Sequence, residues 1–242
     1  MIPQIQYCPC CNEPILGSYA IDIWGTIVHA NHHLNTCYAC GRFILEDTKY
    51  LADGRTICSS CLDSIVSKPS QIKWVDERVR AMLYDNGIDN LPLSVPIRIV
   101  NSTTMSKKFQ NEEIGEKALH LGLTLCEEIV LYNKRVCKQK ILLLDHQPKI
   151  LFAGSLAHEL LHVWQNQYNI KLRSELSEGF SNLGSYLMYK SINNKISDIL
   201  IKQMFLNTDP NYGVGFKKVK SIMDAIGKAD LKIVMNRLLT LE

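Results

Sequence analysis

Apolar residues first fall into a helical rhythm over 71–87. There Trp74, Val75, Val79, Met82 and Leu83 share one face, and Gly87 stands where a helix would be capped. Alternating and continuous apolar runs at 95–100, 119–126 and 140–145, separated by polar turns, predict three strands. Helical spacing then returns at 152–168, 175–190, 197–205, 216–226 and 229–240, with Asp209-Pro210-Asn211-Tyr212-Gly213 as a turn between. Strands first and helices after predict an α+β domain over 91–242. Residues 1–66 differ: apolar periodicity is sparse, so a bound metal must supply the folding energy of that module. Residues 67–90 form a linker, Ser67-Lys68-Pro69-Ser70, and the amphipathic helix. No internal repeat or low-complexity tract is expected.

Composition narrows the function classes. The 242 residues carry a formal charge of +3 with no long block of one sign, which gives no case for nucleic acid or an anionic membrane. The longest apolar runs, at 141–144 and 150–153, are far too short to span a bilayer. Met1-Ile2-Pro3-Gln4 lacks the basic and apolar regions of a secretory signal. Nine cysteines, seven of them before residue 62, with no export signal, point to a reducing cytoplasm and to metal rather than disulfides.

The sharpest chemical signal is His158-Glu159-Leu160-Leu161-His162, an H-E-x-x-H run inside an apolar helix. Positions i and i+4 lie one above the other, so both imidazoles can face one metal, with Glu159 beside them as a general base. A third ligand is needed from a following helix. Glu178, with 15 residues between it and His162, is the choice; Glu175 competes with it. Glu178 is preferred because Asn182 then falls one turn on and can orient a ligand histidine. His120 and His146 read as ordinary histidines, and Cys126 and Cys137 as buried thiols.

Four ligand pairs stand in order near the start. Cys8-x-x-Cys11 and His29-x-x-His32 are separated by 17 residues, as are Cys37-x-x-Cys40 and Cys58-x-x-Cys61. Eight ligands fill two tetrahedral sites and leave no open position, so both zinc ions should be structural. Cys10 competes with Cys8 and Cys11, and His33 with His32, for the first site.

This array resembles a LIM domain, through Cys37-Tyr38-Ala39-Cys40-Gly41-Arg42 and Asp53-Gly54-Arg55-Thr56-Ile57-Cys58. It departs from one in having histidine as fourth ligand and four residues between His32 and Cys37. A LIM-like module ahead of an H-E-x-x-H domain resembles the LIM-domain ubiquitin-activated peptidases that limit organ size in plants. Gly122-Leu123-Thr124-Leu125-Cys126-Glu127-Glu128, the stretch 151–159, Glu178-Gly179 and Tyr212-Gly213-Val214-Gly215-Phe216 carry the likeness. The resemblance implies a cytoplasmic endopeptidase with a zincin-like, gluzincin-type domain that cuts selected proteins. The family's ubiquitin-interacting motifs do not precede this array, so ubiquitin control is not expected and the chain reads as a short, bacterial-type relative.

The expected chemistry is amide hydrolysis by a metal-activated water, with one catalytic and two structural zinc ions and Tyr212 as oxyanion donor. Strand 140–145 is expected at a sheet edge, where an extended substrate could add to it. The rival reading is a LIM-type interaction scaffold whose second domain is not catalytic; a third is hydrolysis of a small amide.

Overall fold

The computed structural model describes residues 5–46, 48–109, 120–131, 134–228 and 230–241. Leu119 and Ala229, where two expected elements begin, lie outside the described residues, as do Met1, Ile2, Pro3 and Gln4. The chain divides into two compact units, Met1–Ile65 and Val66–Glu242.

The first unit is built twice on one plan: a cysteine knuckle, a two-stranded antiparallel hairpin, then a helical turn with the second ligand pair at its N-cap and inside it. In the first finger β1 (Tyr19–Ile21) and β2 (Ile27–His29) lead into a 3-10 turn at Ala30–His32. In the second, β3 (Lys49–Tyr50) and β4 (Thr56–Ile57) lead into α1 (Ser59–Leu62). This repeat corrects the expectation that the chain has none. Its signal in the sequence is the equal 17-residue gap inside each finger. Buried Asp22 ties the fingers together. Its Oδ1 accepts from the amides of Trp24 at 2.9 Å and Thr26 at 2.8 Å, and its Oδ2 from the Phe43 amide at 2.9 Å. Trp24 Nε1 donates to the Cys40 carbonyl at 2.7 Å.

The second unit opens with α2 (Pro69–Asp85), whose Val75, Val79, Met82 and Leu83 enter the main core. A three-stranded sheet follows, of β5 (Ile97–Val100), β6 (Gly122–Leu131) and β7 (Lys134–Leu144) in the order β5-β7-β6. β5 runs parallel to β7 and β6 antiparallel to it. An unanticipated helix, α3 (Ser102–Phe109), lies between β5 and β6 in the chain. β7 is thus the central strand, which overturns its expected place at an edge. Ile141, Leu142, Leu143 and Leu144 are all buried, and an unbroken apolar run is what a strand covered on both faces requires. Among the described residues β5 and β6 are the edge strands of this sheet.

Helix α4 (Lys149–Gln167) is buried without interruption from Leu151 to Leu161, so it is the core helix and not a surface one. Pro148 precedes it, where a missing amide proton costs nothing. α5 (Ser174–Ile192) packs along it, and Ser185 Oγ donates to the Gly154 carbonyl at 2.8 Å between the two. α6 (Lys195–Leu206) starts with a reciprocal cap between Asn194 and Ser197. A π-helical turn at Pro210–Val214 leads into α7 (Gly215–Ile226), and α8 (Leu231–Leu239) closes the described chain. Among the described residues no helix is long and apolar enough to cross a membrane.

Cys126 and Cys137 are not buried thiols. They lie on β6 and β7 with Cα atoms 5.6 Å apart and are joined as a disulfide, and Cys126 is exposed. Neither belongs to a knuckle, so only the pairing of the strands brings them together.

Candidate metal centres

Three groups of side chains converge in this fold: Cys8, Cys11, His29 and His32; Cys37, Cys40, Cys58 and Cys61; and His158, His162 and Glu178. Within each group the donor atoms lie within 4.8 Å of one another, so each could hold a metal ion. Cys10 is exposed, and neither it nor His33 belongs to a group.

The two knuckles are made alike. In the first, the Asn12 amide donates to the Cys8 carbonyl at 2.8 Å, and in the second the Gly41 amide donates to the Cys37 carbonyl at 2.8 Å. The residue after each second cysteine must turn left-handed: φ is 60° at Asn12 and 70° at Gly41. At the first site His29 Nε2 lies 3.2 Å from the Pro14 carbonyl, which can only accept, so Nε2 carries the proton and Nδ1 presents a lone pair. That Nδ1 is 3.4 Å from Cys11 Sγ. His32 Nε2 is buried with no hydrogen-bond partner among the described residues, which suits a metal ligand. Burial opposes ionisation of Cys8, but the amides of His29, Cys10 and Cys11 outweigh it and bring the thiol down to about 5.

The second site is a set of four buried sulfurs, Cys40 and Cys58 being 3.9 Å apart. Cys37, Cys40 and Cys61 cannot all ionise unaided. Thiol hydrogen bonds from Cys40 and Cys61 pull Cys37 far down, and the same bonds push Cys40 up to about 12 and Cys61 higher still. Only a cation lets all four carry charge together, which is what a zinc ion requires of its thiolates.

The third group joins α4 to α5. His158 Nε2 and His162 Nε2 are 3.0 Å apart, and Glu178 Oε2 lies 3.1 Å from the first and 3.5 Å from the second. Glu178 Oε2 is buried with no well-directed donor. Burial would raise this carboxyl, yet the charges of His162 and His158 and their hydrogen bonds hold it far below the usual carboxylate range. Burial would likewise lower His158, and Glu178 reverses that and raises it. Two imidazole nitrogens and one carboxylate oxygen, mutually attracted and otherwise unpartnered, fit a zinc ion with an open fourth position. Glu175, the rival ligand, is turned to Lys218, with Oε1 3.2 Å from Nζ.

The ring orientations are fixed from behind. Asn182 Nδ2 donates to the Tyr212 carbonyl at 2.8 Å, so its Oδ1, 3.0 Å from His158 Nδ1, accepts from that ring and leaves Nε2 bare. Ser181 Oγ accepts from Gln165 Nε2 at 2.9 Å and lies 3.3 Å from His162 Nδ1; Ser177 Oγ in turn donates to Gln165 Oε1 at 2.9 Å. Asn182 was expected from its spacing. The Ser181–Gln165–Ser177 chain was not, although Ser181 stands only three residues after Glu178.

Glu159 is buried, and burial raises its carboxyl pKa. Thr124 Oγ1 donates to its Oε2 at 2.7 Å. A Cβ at Gly122 would stand 2.5 Å from its Oε1, so only glycine leaves that oxygen room. Neither Thr124 nor Gly122 was assigned a role from the sequence, because strand alternation marks them only as surface of β6. Tyr212 stacks on His158 with ring centroids 6.1 Å apart. His120, read as an ordinary histidine, lines the same cavity as His158 and Glu159, and burial lowers its pKa. His146 stands beside Asp145, Nδ1 to Oδ1 3.2 Å, and joins none of the three groups.

No family model matches the chain, and no solved structure matches it. Among curated proteins, it is 25% identical over 219 residues to LIM domain-containing protein HDR3 of Oryza sativa subsp. japonica, covering 77% of this chain and 43% of that protein. It is 28% identical over 185 residues to Protein DA1-related 1 of Arabidopsis thaliana, covering 64% of this chain and 33% of the relative. Protein DA1 of Arabidopsis thaliana matches at 25% over 181 residues, 62% of this chain and 34% of the relative. The chain thus spans less than half the length of the relatives it matches. With its cysteine-histidine array and its length of alignment taken together, the chain is a homologue, at modest identity, of the plant LIM-domain proteins of the DA1 type.

Proposed function

We propose that the chain is a zinc-dependent endopeptidase of zincin-like, gluzincin type, acting on protein or peptide substrates. His158, His162 and Glu178 would hold the catalytic zinc. The two cysteine-rich groups would hold structural zinc. A zinc ion in the third group would supply Lewis acidity, lowering the pKa of water and polarising a substrate carbonyl.

The observation that carries this reading is the setting of Glu159. Its carboxylate is buried, belongs to the turn of α4 that bears both histidines, and is held by Thr124 instead of turning to solvent. A carboxylate so placed can take a proton from water as the water oxygen bonds to the amide carbon. It can then give that proton to the departing nitrogen as the C–N bond breaks. Tyr212, which stacks on His158, would donate to the oxygen of the attacked carbonyl. The substrate backbone would add along the open edge of β6, whose first residue lines the cavity at Glu159.

The test is metal content with proteolysis of an unfolded protein by wild type and Glu159→Gln. Zinc binding should be equal and cleavage absent in the variant. Equal cleavage by both would exclude this mechanism.

A further inference from the structure

β6 and β7 are each fastened to α4 by a side chain. On β6, Thr124 Oγ1 donates to the Glu159 carboxylate at 2.7 Å. On β7, Gln139 Nε2 donates to the Val163 carbonyl at 3.0 Å, and Gln139 Oε1 accepts from Asn166 Nδ2 at 3.1 Å. The register sets Cys126 opposite Gln139, and Cys137 opposite Glu128. Residues opposite one another across a ladder, and residues two apart along a strand, share a face of the sheet. Thr124, Cys126, Cys137 and Gln139 therefore lie on the face that meets α4. The Cys126–Cys137 disulfide, with Cα atoms 5.6 Å apart, is a covalent tie two residues beyond Thr124.

The tie falls where the sheet is weakest. β5 pairs with β7 only over Ile141–Leu144, and Thr124 stands opposite Ile141, at the end of that stretch. From Cys126 onward, among the described residues, β6 and β7 form a two-stranded ribbon. Such a ribbon is marginal without a further strand or a cross-link, so without the disulfide it can open toward Thr124. The pair is also open to exchange. Cys126 is exposed and Cys137 partly buried, so a thiolate from solution can reach the Cys126 sulfur. Six other cysteines in the two cysteine-rich groups must stay reduced to hold metal. Where thiols are kept reduced, a disulfide is as a rule one that is made and broken.

From this we infer that Cys126–Cys137 is a reversible thiol–disulfide site: oxidised, it holds Thr124 on Glu159, and reduced by a dithiol, it releases that grip. In the reducing direction a thiolate of the dithiol bonds to Cys126 Sγ as the S–S bond breaks, and Cys137 leaves as a thiolate and takes a proton. The second thiol of the reductant then displaces Cys126, which is protonated in turn, and the reductant departs as a disulfide. Two electrons pass from the dithiol to the protein, and a small-molecule disulfide drives the reverse. The pair touches no reacting atom; it positions Glu159 through Thr124. Its effect on turnover rests on the peptidase reading, and its exchange chemistry does not.

Two measurements test it. In the first, the zinc-loaded full chain is equilibrated without air in zinc-buffered mixtures of reduced and oxidised dithiothreitol. It is then alkylated and read by mass spectrometry at Cys126 and Cys137. The same reduced fraction should be reached from either end, with zinc content constant. Amide exchange over 122–127 should be at least about tenfold faster in the reduced form while α4 keeps its protection. A pair that stays oxidised in every mixture, never oxidises, or opens only as zinc is lost or the whole domain unfolds would overturn the inference. In the second, both forms cut an unfolded protein. On reduction kcat should fall at least about tenfold, the cost of a misplaced reacting group, with KM unchanged. Cys126→Ser with Cys137→Ser should show the low kcat in either mixture; should that pair misfold, Cys126→Thr with Cys137→Val should do the same. In Thr124→Val the two forms should no longer differ. Equal kcat in both forms of the wild type, or a difference that persists in Thr124→Val, would overturn the link to Glu159. Should neither form cut protein while exchange and amide protection behave as expected, the peptidase reading falls and the redox site stands.

Discussion

Thr124 on β6 donates its hydroxyl to the Glu159 carboxylate across 2.7 Å, and the same oxygen lies 3.0 Å from the Glu159 carbonyl. A single side chain on the sheet thus grips both the backbone and the functional end of a residue on the helix. Replacing it by valine keeps the β-branch and removes the grip. Thr124→Val should lower kcat by about ten- to a hundredfold, the cost of a misplaced reacting group, with KM and zinc content unchanged. Thr124→Ser should restore most of it. A loss of zinc in the valine variant, or equal activity in both, would show that Thr124 does not position Glu159.

Glu159 and Glu178 should fail differently. Glu159→Gln should retain zinc and lose at least about 10²–10⁴-fold in turnover. Glu178→Ala should lose zinc affinity and activity together, because a ligand is gone. Glu175→Ala, which removes the ion-pair partner of Lys218 and Arg173, should leave zinc content and turnover close to wild type. Zinc titration beside proteolysis separates the three.

The supports behind the histidines predict graded effects. Asn182→Ala and Ser181→Ala should each weaken zinc binding at the catalytic group by about 10–100-fold, read by competition with a chelator. The two cysteine-rich groups should not respond to either change.

Metal removal should also distinguish the units. Elemental analysis is expected to give three zinc ions per chain, with those of the two four-ligand groups surviving mild chelation. Cys58→Ser should unfold residues of the first unit, seen as faster amide exchange over Met1–Ile65, while Val66–Glu242 keeps its protection. A total of one zinc, or exchange rising equally across both units, would contradict two separate structural sites.

Much of this architecture was legible in the chain. The eight-ligand array and the H-E-x-x-H pair are short-range patterns, and a knuckle or a helix turn closes within a few residues. The apolar rhythm likewise gave α4 and α5 to within a few residues of Lys149–Gln167 and Ser174–Ile192. What escaped depends on long-range pairing. The place of β7 between β5 and β6 is a matter of strand order, and its run Ile141-Leu142-Leu143-Leu144 reads equally as an edge or a centre until its neighbours are known. Thr124 meets Glu159 across 35 residues of chain, and the Cys126–Cys137 pair depends on the register of β6 with β7.

The Asn182 amide has consequences beyond orienting a ring. Its two ends face opposite demands: an acceptor toward His158 and a donor toward the Tyr212 carbonyl. Rotated by half a turn, it would set oxygen against oxygen and N–H against N–H, so one orientation alone is tolerated. The side chain therefore works as a rigid coupling between His158 of the third group and the turn that carries Tyr212. Asn182→Asp isolates the coupling from the support. The carboxylate still accepts from His158, yet it repels the Tyr212 carbonyl and releases that turn, so an ion could remain bound beside a tyrosine no longer in place to meet the substrate.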